Sequence, residues 1–157
     1  MTADERSDPG GYTALYECDA DPVSSDWVTW RIEDKSRFNA QFGDLQTRRD
    51  GDSAVVRMQP HYALGNMSGR VHGGAVMTFI DMAMFIGAQV LGVTAAARGL
   101  TVDLDVQFVG GADLDRPVDA TVQITRETGR LLFVRGTVEQ GGDMAASFMG
   151  ILRKPGR

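Results

Sequence analysis

The chain has 157 residues, 43% of them hydrophobic, which is the size and composition of one ordinary globular domain with a single core. Its 16 basic and 21 acidic side chains leave a net charge of −5, which argues against non-specific binding to nucleic acid or to an anionic membrane surface. The lone cysteine, Cys18, excludes an intramolecular disulfide framework and suits a reducing compartment.

Residues 1–25 are rich in Asp, Ser, Gly and Pro and are expected to form a flexible N-terminal arm, with residues 26–157 as a single domain. The opening "MTADERSDPGG" has no apolar signal core, and no unbroken apolar run near 20 residues follows, so a cytoplasmic protein outside the membrane is expected. The stretch "DWVTWRIEDKSRF" reads equally as a short strand or a helix. "SRFNAQFG" reads as a short helical or turn segment closed by Gly43. In "DLQTRRDGDSAVVRMQP", two strand-like runs flank Asp50-Gly51, a strong hairpin turn signal. "HYALGNMSGR" is a polar loop with glycines.

From Gly73 to about Leu91 the pattern is that of a helix interrupted by few polar groups, chiefly Thr78, Asp81 and Gln89. A helix that is apolar on most faces is buried on most faces. Beyond Gly99 the period changes to two. In "LTVDLDVQFV", Leu100, Val102, Leu104, Val106 and Phe108 alternate with Thr101, Asp103, Asp105 and Gln107, which puts Thr101 on the polar face. "VDATVQITR", "LLFVRGTVE" and "MAASFMGILRK" continue the strands, joined around "ETGR" and at the two-residue loop of "QGGD". The order predicts an α+β fold with one long helix packed on a one-sided antiparallel sheet.

Several residues could carry chemistry. Asp81 is a carboxylate within an apolar helix, costly to desolvate without partners or water. It is either a site residue or a structural carboxylate that reaches the surface. His72, Gly73 and Gly74 stand where that helix begins, and a helix start offers free N–H groups with positive dipole character. Glycine there allows a ligand close to the backbone, a plausible oxyanion site; the bland alternative is a tight entry with a capping histidine. Eight residues at about 1.5 Å each separate Gly73 from Asp81 by roughly 12 Å. If the two cooperate on one carbonyl, Gly73 of one chain must meet Asp81 of another, and a two-fold dimer with antiparallel helices would make two equal sites.

Asn66 in the preceding loop has an amide able to donate, although turn asparagines are common. Thr101 is otherwise an ordinary strand threonine and His61 a structural loop histidine. Met77, Met82 and Met84 suit the core better than a cofactor box. No metal-ligand spacing, GxSxG, P-loop or GxGxxG occurs, so neither a metal nor another cofactor is expected.

With Asn66, Gly69, His72, Gly73, Gly74 and Asp81 in the pattern N-x-x-G-x-x-H-G-G followed by an aspartate, the sequence resembles the hotdog-fold acyl-CoA thioesterases, specifically the phenylacetate-degradation type. The resemblance runs from about Phe38 to Lys154 and includes "TVDLDVQF" and "RETGRLLF". It implies a long central helix wrapped by a curved antiparallel sheet, and dimers that join sheets edge to edge and pair into tetramers. It implies that Asp81 is the general base or nucleophile, that Gly73 gives its N–H to the thioester oxygen, that Asn66 and His72 position groups, and that Thr101 helps orient the attacking water. It also implies an acyl-CoA substrate contacted by Arg126, Thr128, Gly129 and Arg130 in a hairpin and by Arg153 near the C-terminus. Arginine pairs well with phosphate, while each arginine alone is more often a solvated surface charge. The rival readings are a non-catalytic acyl-CoA-binding module and a hotdog dehydratase, the latter lacking an acid shortly before His72.

Overall fold

The computed structural model describes residues 16–20, as a strand, and residues 26–156. The strands are β1 (Tyr16–Ala20), β2 (Val28–Ile32), β3 (Leu45–Asp50) and β4 (Ser53–Met58), followed by helix α1 (Gly73–Val90) and then β5 (Leu100–Phe108), β6 (Val118–Glu127), β7 (Leu131–Gln140) and β8 (Asp143–Arg153). They form one antiparallel sheet in the order β1-β2-β3-β4-β6-β7-β8-β5, so β5, although central in sequence, closes one edge. Five residues of the expected arm are β1, which pairs with β2; the rest of residues 1–25 lies outside the described residues.

Helix α1 has definite ends. His72 is its N-cap, with Nδ1 accepting from the Gly74 N–H at 2.9 Å. At the other end Gly92 takes φ 99°, while the Gly92 and Val93 N–H groups donate to Gln89 and Ala88 carbonyls, a Schellman closure. As expected for an apolar helix, α1 is buried on several faces: Val76, Phe79, Ile80, Met82, Ala83, Met84, Ile86 and Ala88 all lie in the core. The sheet's inner face meets them with Val56, Met58, Val118, Val122, Leu132, Val138 and Leu152. At Gly87 an added Cβ would stand 2.8 Å from Val122, so the helix touches the sheet there by its backbone.

The hairpins follow their turn residues. Gly51 (φ 58°) turns β3 into β4, and Gly141 and Gly142 (φ 62° and 93°) turn β7 into β8. "SRFNAQFG" contains a 3₁₀ turn, Phe38–Phe42, closed by Gly43 at φ 71°. The ambiguous segment resolves as β2, and the Trp27 ring just before it packs against two guanidinium groups, Arg57 at 4.4 Å and Arg48 at 5.2 Å from the ring centroid. That clamp fixes β2 against β3, with Trp30 paired to Leu45 and packed toward the core.

One expectation about facing is corrected. The register of β5 against β8 shifts between Thr101 and Asp103, so Val102 is an extra, bulged residue. Thr101 pairs with Leu152, and Leu104, Val106 and Phe108 pair with Gly150, Phe148 and Ala146. All four partners are buried, so Thr101 stands on the helix side with Leu104, and not on the polar face with Asp103 and Asp105.

Candidate functional site

The half-buried Asp81 projects from the middle of α1 toward the start of β5, where the bulge has turned Thr101. The Thr101 hydroxyl donates to Asp81 Oδ1 at 2.6 Å. That bond is short and charge-assisted, so it fixes the carboxylate and leaves Oδ2 for another proton donor. Asp81 also lines a cavity of about 520 Å³, walled by Met82, Phe85, Ile86 and Gln89 of α1, Trp30 and Ile32 of β2, Leu45 of β3, and Phe38 of the 3₁₀ turn. A hydrogen-bonded carboxylate at an apolar cavity can receive a proton beside a carbonyl held there.

A second hollow, about 210 Å³, lies at the start of α1 and is lined by Asn66, Arg70, Gly73, Phe108, Gly110 and Gly111 among others. His72 spends its ring nitrogen on Gly74, whereas the Gly73 N–H has no partner among the described residues. As the first residue of the helix, Gly73 points that N–H outward with the positive end of the dipole. The Asn66 side-chain oxygen accepts from Ser68 and Arg70 N–H at 2.9 and 3.1 Å, which folds the loop and leaves its NH₂ without a partner among the described residues. The floor of this hollow is the β5–β6 loop, clamped by the buried Gln140. Its Oε1 accepts from Asp113 N–H at 2.7 Å, and its Nε2 donates to the Asp113 and Arg116 carbonyls at 3.0 and 2.9 Å. Arg116 hydrogen-bonds the Asp113 side chain and holds that carboxyl below the usual range.

The candidate residues thus fall into three groups. Asp81 and Thr101 are joined. Asn66, His72 and Gly73 lie together at the helix start, apart from Asp81 on the same unbroken helix. Arg126, Thr128, Gly129, Arg130 and Arg153 gather at the sheet end that carries Thr101. Arg153 pairs with Leu131 and Leu100, Lys154 N–H donates to the Arg130 carbonyl at 2.8 Å, and the turn is closed by Thr128 Oγ1 on Leu131. Arg126, Arg130 and Arg153 are exposed and make no ion pair among the described residues. No three His, Cys, Asp or Glu side chains converge as a metal site among the described residues. Sequence reasoning missed the cavity wall of Trp30, Ile32 and Phe38, and Arg70; the clue to the wall was the pair of aromatics Trp27 and Trp30 in a segment of ambiguous period.

Comparison with known proteins now bears on this geometry. The model of the thioesterase superfamily matches residues 68–147, the span from the loop before α1 into β8. The zebra fish thioesterase superfamily member 2 is 18% identical, with a TM-score of 0.68 over 78% of this chain and 89% of that one. The E. coli PaaI protein from the phenylacetic acid degradation operon is 18% identical, with a TM-score of 0.65 over 78% of this chain and 87% of that one. A hypothetical thioesterase from Streptococcus pneumoniae TIGR4, solved with coenzyme A, is 15% identical, with a TM-score of 0.64 over 74% of this chain and 92% of that one. These likenesses establish the fold as the expected hotdog, one long helix against an antiparallel sheet. Curated protein sequences give no significant match.

Proposed function

This chain belongs to the thioesterase superfamily, and from that premise we propose that it hydrolyses acyl-CoA thioesters at a site shared between two copies. The observation that carries the reading is the Thr101–Asp81 hydrogen bond beside an apolar cavity. The acyl group lies in the cavity of one subunit, and its thioester oxygen receives the Gly73 N–H of the partner subunit. Asp81 takes a proton from water as the water oxygen attacks the carbonyl carbon, and Thr101 holds the carboxylate in line. The tetrahedral oxyanion is stabilised by the glycine N–H and the helix dipole. Collapse expels the CoA thiolate, which regains a proton from Asp81, leaving free acid and CoA. The thioester is already an activated acyl, so the chemistry asks for no cofactor. Direct attack by Asp81 gives the same products through an anhydride that water then opens.

Support for a shared site comes from β5. Leu100, Val102 and Phe108 on this edge strand are 59%, 57% and 49% exposed, and a long apolar edge is a template for pairing with another chain. Two β5 strands paired antiparallel about a two-fold axis bring the Thr101 end of one beside the Phe108 end of the other, and Phe108 flanks Gly73. Arg126, Arg130 and Arg153 near the Thr101 end then suit the phosphates of CoA. The motif around Asn66, His72 and Gly73 leads us to place the chain with the phenylacetate-degradation type.

The test is thiol release from acyl-CoAs. Asp81→Asn is expected to lower turnover by about 10²–10⁴-fold while the oligomer survives on a sizing column. Near wild-type hydrolysis by that variant overturns the role. Tight acyl-CoA binding by the wild type without thiol release marks a binding module of the same fold.

A further inference from the structure

The cavity beside Asp81 has a direction. Its α1 wall is formed by Asp81, Met82, Phe85, Ile86 and Gln89, spaced by one, three, one and three residues. That spacing is one continuous stripe on a helix, about 12 Å long at roughly 1.5 Å per residue. The carboxylate stands at one end and Gln89, whose Nε2 donates to the Phe85 carbonyl at 3.2 Å, at the other. The facing wall is supplied by Trp30 and Phe38, from a part of the chain that lies before the span matched by the superfamily model.

We propose that this groove takes the acyl tail lengthwise along α1, and that Trp30 and Phe85 set its size, which makes the substrate an uncharged apolar acyl group of about eight to ten carbons or its equivalent containing an aromatic ring. This rests on the thioesterase reading for the position of the carbonyl. An extended chain advances about 1.3 Å per carbon, from a C–C bond of roughly 1.5 Å, so a 12 Å groove accommodates about nine. The cavity of about 520 Å³ is within the range of small-ligand pockets and leaves width for a ring beside the two aromatic walls. Its ionisable lining residues are Asp81 and Arg37, and Arg37 is already engaged by Asp34 at 2.9 Å. A carboxylate at the end of the acyl tail would therefore be desolvated among apolar groups without a counter-charge.

The experiment pairs two series on the full-length protein. Thiol release is measured for saturated acyl-CoAs from acetyl to palmitoyl, with phenylacetyl-CoA and glutaryl-CoA. Binding is measured for non-hydrolysable thioether analogues of the same acyl groups. Expected is a rise in kcat/KM of roughly three- to four-fold per methylene up to eight to ten carbons, followed by a fall, with glutaryl-CoA far below hexanoyl-CoA. Trp30→Leu is expected to move the optimum at least two carbons longer, and Phe85→Leu does the same should the first variant fold poorly. An optimum at acetyl, a flat profile, or variants that lower every chain length equally overturn the proposal. Should no thioester be cleaved while thioether binding still peaks at medium length and shifts with Trp30, the groove assignment holds and the hydrolase reading fails. Binding that ignores chain length overturns the groove assignment itself.

Discussion

Three residues divide the proposed chemistry, and each is testable alone. Gly73 offers the cleanest separation of donor from fold. It is the first helical residue, where proline is favoured and the amide has no intrahelical acceptor. The preceding His72 has φ −64° and ψ 137°, the extended backbone that a residue before proline adopts. An added Cβ would meet the Phe108 ring at 3.6 Å, an ordinary contact. Gly73→Pro is therefore expected to leave the melting temperature unchanged or slightly higher, and to cost about 10²–10³ in kcat by deleting one N–H; full activity in a folded Gly73→Pro protein ends the oxyanion role. Thr101→Val keeps the shape and removes the hydroxyl on Asp81, with an expected loss in kcat/KM of about ten-fold or more, whereas Thr101→Ser restores most of it. Equal rates for the two variants would show that the hydroxyl is idle. Asp81 and Gly73 stand out in the sequence because a charge in an apolar helix and glycines at its start break local patterns, but the pattern left each role open and only the family resemblance proposed one. The inward turn of Thr101 was not legible, because strict alternation assigns it to the polar face and only the bulge at Val102 reverses that.

At the level of elements, the long helix and the hairpins that turn at Gly51-Asp52 and Gly141-Gly142 could be read directly, because period and turn chemistry agree there. β2 could not. Its pattern is too short to give a period, and what fixes it is tertiary: pairing with β3 and the clamp of Arg48 and Arg57 on Trp27. The cavity wall of Trp30 and Ile32 was hidden with it. The β5–β6 loop was equally illegible, since nothing local marks Gln140, at the far end of β7, as its anchor. Gln140→Leu leaves one N–H and two carbonyls of that loop short of partners. It is expected to cost about 2–3 kcal/mol, or several degrees in melting temperature, and to raise KM through a looser Gly73 hollow. An unchanged melting temperature would show that the loop holds without the clamp.

Over the whole molecule, the proposed site exists only between chains, and this can be read by mixing defects. Asp81→Asn chains keep Gly73, and Gly73→Pro chains keep Asp81. Randomly reassorted dimers of the two would contain one intact site in each mixed pair, recovering about a quarter of wild-type activity from two inactive preparations. A site built within one chain recovers nothing. The unbroken 18-residue run of α1 is what enforces this separation, and it also carries a genetic consequence. A chain with either lesion spoils only one of the two sites it shares with a normal partner, so equal co-expression should leave about half of the activity. A chain with both lesions spoils both sites, including the one that uses its partner's sound aspartate, and should leave about a quarter. Two recessive-looking defects, placed on the same allele, would thus become dominant.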